Sequence, residues 1–368
     1  MSKISVLLFI CFFVFTIGPK SNSYGNALPL KDLSTNNQIA MLAQETGSSL
    51  PCGSTTTDSK IPVCTDWRKD KADFESAKLD TKTYEYDNYA LIPNRDTFII
   101  DTSEFLLKLE EFSGVRETNV AGSMVLIKSR RSVKDKNLAR TWLEQEYKKL
   151  NYKTTFQSYS RCILWPGGIN FIAEKKGKSG KVIIISSHLD SVKNAGANDD
   201  GTGTIAALMV AKAIKDLPNK HTIRFVAFDQ EELGLCGSAN YVKTLSANTV
   251  IADIHLEMMA YNSKADGRFH IIDCDKTNST FITSAIMKEI SFHNLPLRRV
   301  AACTHGSDHS SFWKKKIPAA VISDNFFGGD SDPCYHKSCD IVDSRLNYNY
   351  ATLIVTAVAN AVANLIQQ

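Results

Sequence analysis

Val182-Ile183-Ile184-Ile185-Ser186-Ser187 runs directly into His188-Leu189-Asp190-Ser191, and the fold is read outward from that junction. A short β-branched run ending in polar residues predicts a strand buried on both faces, as in a parallel sheet covered by helices. Residues 203–217 are apolar nearly all round, which predicts a helix packed inside the domain. Residues 222–228, 250–256 and 318–323 read as further strands, with a helix over 233–245 and a closing helix over 350–366. Upstream, Leu106, Leu107, Leu109 and Phe112 mark one helix, and residues 138–150 mark another. This alternation predicts an α/β sandwich with a mostly parallel central sheet flanked by helices.

The chain's 368 residues are enough for one large α/β domain and a smaller appendage. A formal charge of +4, from 43 basic and 39 acidic residues, is too mild to point to nucleic acid as a partner. Lys3, the apolar run 4–17 and the small polar Ser21-Asn22-Ser23 have the layout of an export signal over residues 1–23, shorter than a spanning helix needs. Residues 24–95 are polar and charge-dense, with Arg68-Lys69-Asp70-Lys71 within them, and read as a pro-region or small N-terminal subdomain. The catalytic domain is expected over 96–368. Export, secreted or periplasmic, also suits the eight cysteines left after Cys11 departs with the signal. Cys334 and Cys339 are the expected pair because they are close in sequence, Cys52 and Cys64 are a second candidate, and Cys236 is expected to be a buried free thiol.

Five metal-capable side chains follow in order: His188, Asp199, Glu232, Glu257 and His336. Two imidazoles and three carboxylates can hold a pair of first-row metal ions with one carboxylate shared, and two such ions form a hydrolytic centre. Several of these residues follow predicted strands, and in open α/β sheets sites form beyond the carboxyl ends of the strands. Asp190 is positioned to accept the second imidazole N–H of His188. In Gly196-Ala197-Asn198-Asp199-Asp200-Gly201-Thr202-Gly203, the glycines permit a tight turn, Asp199 reads as the bridge and Asp200 as its supporting neighbour. The same acidic turn also suits the capping of the following helix. In Asp229-Gln230-Glu231-Glu232, one glutamate can bind metal while its neighbour, Glu231, takes a proton from water. A pair of acids stabilising a helix N-terminus is the plainer reading of that segment.

These segments, with His255-Leu256-Glu257-Met258, Gly306-Ser307-Asp308-His309 and Asp332-Pro333-Cys334-Tyr335-His336-Lys337-Ser338-Cys339-Asp340, resemble the M28 family of co-catalytic zinc peptidases, in particular its secreted bacterial leucine-type aminopeptidases. The resemblance runs from about Thr102 to the C-terminus. It implies the zinc-exopeptidase sandwich and two zinc ions, with Asp199 as bridge, His188 and Glu257 on one ion, and Glu232 and His336 on the other. It also implies Glu231 as general base, Tyr335 as a hydrogen-bond donor to the tetrahedral intermediate, and a Cys334–Cys339 disulfide. Glu257 departs from the aspartate common at its position, and no arginine immediately precedes Ser307-Asp308, where some relatives carry one.

The expected function is hydrolysis of an apolar, leucine-like N-terminal residue from peptides with a free N-terminus, by a monomer with no nucleic-acid partner and no membrane partner once the signal is removed. Three alternatives share the fold. A carboxypeptidase of the related M20 type needs a lid domain between its last acid and last histidine, and Glu257 and His336 are only 79 positions apart. A glutaminyl-cyclase-like enzyme typically works with one zinc ion. A catalytically inactive, receptor-like binding protein would have lost ligands or the base.

Overall fold

The computed structural model describes residues 78–79, 97–274 and 277–368, all within one unit of the chain. The export signal, nearly all of 24–95 and the Cys52–Cys64 candidate pair lie outside the described residues.

Among the described residues, nine strands make the main sheet: β1 (Lys78–Leu79), β2 (Lys153–Ser158), β3 (Ile169–Lys175), β4 (Val182–His188), β5 (Thr222–Phe228), β6 (Val250–Glu257), β7 (Arg268–Ile272), β8 (Arg298–Ala301) and β9 (Ala319–Asp324). Their spatial order is β1-β8-β7-β9-β6-β4-β5-β3-β2. The sheet is mixed. Its centre, β9-β6-β4-β5, is parallel throughout, whereas β3, β2 and β1 join antiparallel at the edges and β7 runs against β9. The all-apolar runs belong to that parallel centre, as burial on both faces requires. The flanking strands are less continuous in hydrophobicity and carry the antiparallel pairings.

Among the described residues, seven helices accompany the sheet: α1 (Thr102–Phe112), α2 (Val133–Lys149), α3 (Gly203–Ile214), α4 (Cys236–Tyr241), α5 (Thr280–Phe292), α6 (His309–Lys314) and α7 (Tyr348–Leu365). Side-chain oxygens start three of them: Asp101 accepts from the amides of Ser103 and Glu104, Ser132 from Asp135, and Asn347 from Tyr350. Along β4, Ile183 and Ile185 face the larger core under α1, α2, α3, α5 and α7. Val182 and Ile184 face a smaller core with Tyr241, Phe312 and Trp313 of α4 and α6. The near-complete apolarity of α3 has a direct cause, because α3 lies between the sheet at β4 and β6 and the closing helix α7.

One expected element is shorter than its sequence pattern. The helix over 233–245 is only α4 followed by a 3₁₀ turn over Val242–Thr244. Gly234 (φ 107°) and Leu235 (φ 59°) take positive φ, which stops a right-handed helix from starting at 233. Cys236 is also not a free thiol. It is buried as expected but bonded to Cys162, 74 positions away, and further disulfides join Cys274 to Cys303 and Cys334 to Cys339. Among the described residues, no helix is long and apolar enough to cross a membrane.

The sandwich makes α3 the most demanding packing site. Ile205→Ala, at a position with no exposed surface, is expected to cost about 2–5 kcal/mol of stability in urea unfolding with disulfides intact. An unchanged midpoint would show that α3 does not carry the core between sheet and α7.

Candidate metal centre

Three adjacent parallel strands end at one place. His188 is the last residue of β4 and pairs in register with Phe228, the last of β5, while Glu257 ends β6 beside Ser323 of β9. The chain leaving β5 turns at once through Asp229-Gln230-Glu231-Glu232, and the chain leaving β4 loops back through Asp199. His336 enters from a loop closed by the Cys334–Cys339 disulfide.

The five side chains singled out by the sequence converge. His188 Nε2 lies 3.0 Å from Asp199 Oδ1 and 3.4 Å from Glu257 Oε1. His336 Nε2 lies 3.2 Å from Asp199 Oδ2 and 3.0 Å from Glu232 Oε2. Asp199 therefore presents one oxygen to each imidazole, the geometry a shared ligand needs. Two groups form, one of His188, Asp200 and Glu257 and one of Asp199, Glu232 and His336, each with ligand atoms within 4.8 Å of one another. The oxygens of Asp200 also accept main-chain amides: Oδ1 from Gly203 (3.0 Å) and Met258 (3.1 Å), Oδ2 from His188 (3.0 Å). With three such donors, Asp200 ties β4, β6 and the start of α3 together. The capping reading of this turn thus belongs to Asp200, and Asp199 is the residue left facing the imidazoles.

Asp190 acts differently from expectation. His188 Nδ1–H donates to its main-chain carbonyl at 3.0 Å, while its nearer carboxylate oxygen is 3.7 Å away. That carboxylate instead accepts the amides of Glu231 (3.0 Å) and Glu232 (3.3 Å) and so sets the turn that carries both glutamates. A histidine two residues before an aspartate suggests a side-chain contact, but here the main-chain carbonyl lies closer than the carboxylate.

Residues to which the sequence reading gave no part hold the frame. Asp340 accepts from the amides of Asn198 (2.8 Å) and Asp199 (3.2 Å). Arg130, fully buried, donates to the carbonyls of Leu189 (2.7 Å), Ala195 (2.6 Å) and Gly196 (2.7 Å), and so fixes the loop between His188 and Asp199. Gly196 is required there. Its φ is 59°, and a Cβ would lie 2.6 Å from both the Arg130 guanidinium and the Asp199 carbonyl. Arg345 pairs with Asp332 beside the His336 loop. A buried arginine that hydrogen-bonds main-chain carbonyls, and an aspartate that hydrogen-bonds main-chain amides, leave no periodic or spacing signal in a sequence.

The electrostatics are those of a site short of positive charge. Burial works to lower both imidazoles, yet Glu257 raises His188 well above its ordinary range, and Glu232 with Asp199 lifts His336 to about 11. Burial works to raise Glu257, and the facing histidines bring it down to about 2. Asp199 Oδ2 and Glu232 Oε1 are buried without a hydrogen-bond partner among the described residues. Imidazole and carboxylate donors around two orphaned carboxylate oxygens fit divalent metal ions. Glu231 stands apart, since no described residue hydrogen-bonds to its carboxylate. Burial, reinforced by Asp308, Glu232 and Glu257 against the opposing pull of His188, pushes that carboxyl well above its usual range. Glu231 and Tyr335 line the same cavity as His188, Asp199 and Glu257, and Met258, Ile272, Val321, Phe326 and Phe327 form its apolar walls. The Tyr335 ring stacks on His336 at 3.8 Å between centroids.

The family model for peptidase family M28 matches residues 170–362, more than half of the chain. The chain belongs to peptidase family M28. Aminopeptidase YwaD of Bacillus subtilis (strain 168) is 32% identical over 204 residues, which cover 51% of this M28 chain and 43% of that protein. The chain spans about half the length of the curated relatives it matches. The solved structure of BSAP, a zinc aminopeptidase from Bacillus subtilis, superposes with a TM-score of 0.51 at 25% identity, covering 55% of this chain and 51% of that one. A glutaminyl cyclase from Bacteroides thetaiotaomicron superposes with a TM-score of 0.59 at 16% identity, covering 74% of this chain and 99% of that one, a likeness of fold alone.

One wall of the M28 cavity depends on a neutral histidine. His270 donates from Nδ1 to the Val300 carbonyl (2.7 Å) and accepts at Nε2 from the amide of Phe327 (3.0 Å). Burial, with Arg299 adding to it, lowers His270 to about 4 from the ordinary 6.5. The folded state therefore binds fewer protons than the unfolded chain between those values. The stability His270 contributes, up to roughly 3 kcal/mol, is complete above pH 6.5 and is lost as pH falls through 4. Urea unfolding of the chelated protein from pH 7 to pH 4 is expected to show a steeper loss than His270→Phe shows. Parallel profiles would mean that the ring is not held neutral.

Proposed function

We propose that this M28 chain is an exported, zinc-dependent aminopeptidase that removes an apolar N-terminal residue from peptides. The observation that carries the reading is the convergence of two imidazoles and three carboxylates beside one cavity, which His188, Asp199 and Glu257 line together with a further carboxylate, Glu231. His188, Asp199 and Glu257 would hold one zinc ion, and Asp199, Glu232 and His336 a second, with Asp199 shared. Mixed imidazole and carboxylate donors suit zinc. When bound, the ions supply the positive charge that polarises a scissile carbonyl and makes water acidic at neutral pH, and two-metal aminopeptidases are a known class of such centres.

The chain's own residues supply the rest. Glu231 takes the proton from the attacking water and passes it to the departing amine. Tyr335 keeps its phenolic proton, because burial and the surrounding carboxylates raise it well above its ordinary value, and donates it in a hydrogen bond to the developing oxyanion. The walls at Met258, Ile272, Val321, Phe326 and Phe327 suit a leucine-sized side chain. Asp190 and Asp200 steady the two segments that carry the glutamates and the imidazole. Three disulfides among the described residues support export to an oxidising compartment.

Leucine p-nitroanilide is expected to be cleaved and its N-acetylated form left intact, with activity lost on chelation and restored by zinc. Equal cleavage of both substrates would remove the aminopeptidase reading, and conversion of N-terminal glutamine to pyroglutamate in place of hydrolysis would make the chain a cyclase. Glu231→Gln should keep its metal content and lose more than ~100-fold in kcat. Near-parental turnover in that variant would take the proton-transfer role away from Glu231.

A further inference from the structure

The Glu257 carboxylate is gripped from behind. Its Oε1 faces His188, while its Oε2 lies 3.1 Å from His255 Nε2 and 2.8 Å from Ser307 Oγ. Ser307 Oγ is also 2.9 Å from the same imidazole nitrogen, which closes a triangle on Oε2. On its other side, His255 Nδ1 lies 2.9 Å from Ser186 Oγ, and that hydroxyl donates to Asp253 Oδ1 at 2.8 Å. The line Asp253–Ser186–His255–Glu257 follows from strand geometry. Residues 253, 255 and 257 of β6 alternate onto one face, and Ser186 of β4 is the register partner of His255. His255 has no exposed surface, so substrate cannot reach it.

We propose that His255, backed by Ser186 and Asp253 and joined by Ser307, is a positioning residue that turns Glu257 so that Oε1 meets the ion shared with His188. The proposal rests on the metal reading given above. A glutamate side chain has three torsions, and holding its far oxygen removes the freedom that binding would otherwise have to restrict. Hydrogen-bond partners behind metal-ligating carboxylates have this effect, and their loss typically costs 10–100-fold in metal affinity.

The test is zinc binding by the full chain, measured by chelator competition and metal analysis without any substrate, with cobalt absorption as a second readout. His255→Leu is expected to weaken one of two ions by about 10–100-fold while the other is held as in the parent, and to alter the cobalt spectrum. His255→Gln, which keeps an N–H donor, should recover part of the loss. Two ions held at parental affinity in His255→Leu would overturn the proposal. If His255→Leu does not fold, Ser307→Ala decides, since it removes only a hydroxyl from the same oxygen: one weakened ion supports the grip, and parental affinity for both overturns it. A parent that binds no zinc would instead overturn the metal reading itself, and the grip with it.

Discussion

Carboxylates repel one another, and this fold gathers Asp190, Asp199, Asp200, Glu231, Glu232 and Glu257 at the ends of three neighbouring strands. Main-chain amides make that crowding tolerable. Asp200 spends its oxygens on three N–H groups, Asp340 on two and Asp190 on two. An amide donor stabilises a carboxylate without adding a side chain that must itself be ordered. The aspartates so engaged become the frame, and the oxygens of Asp199, Glu232 and Glu257 are left facing imidazoles. The division between the framing acids and the acids that face the imidazoles is thus set by which carboxylates the backbone reaches.

The same backbone determines what is rigid and what is not. His188 and Glu257 end strands of the parallel centre, where register fixes them, Glu232 follows the end of β5 by four residues, and Asp199 sits in the turn over Ala197–Thr202 that leads into α3. His336 comes from a loop, with its own φ at 56°, and a quarter of its side chain is exposed. Its position relies on the short Cys334–Cys339 ring, on Arg345 against Asp332, and on the stacked Tyr335. The cavity wall next to it depends in turn on His270, which joins the Val300 carbonyl of the neighbouring strand to the Phe327 amide. The metal-capable cluster and the apolar cavity wall are therefore braced through different parts of the sheet.

Much of this was legible in the residues. The apolar runs at 182–187, 222–228 and 250–256 are strands, and the all-round apolar segment at 203–217 is α3, because burial on both sides leaves a compositional mark. His255 was legible in part, since a residue two positions before Glu257 on a strand must share its face. Its partner Ser186 lies on another strand, and only register reveals it. Cys236 was correctly read as buried, but its bond to Cys162 crosses 74 positions, and proximity of that kind has no local signature.

By itself, the sequence determined the class of fold, the order of the metal-capable residues and the strand ends that carry several of them, because hydrophobic periodicity and residue chemistry are local properties. Only the tertiary structure decided that Asp200 is held by amides while Asp199 faces both imidazoles, that Asp190 offers its carbonyl to His188, that the flanks of the sheet run antiparallel, and that Arg130 and Asp340 hold the loops. These outcomes depend on which backbone donors and acceptors meet across long separations. A buried polar group must satisfy them wherever the folded chain brings them.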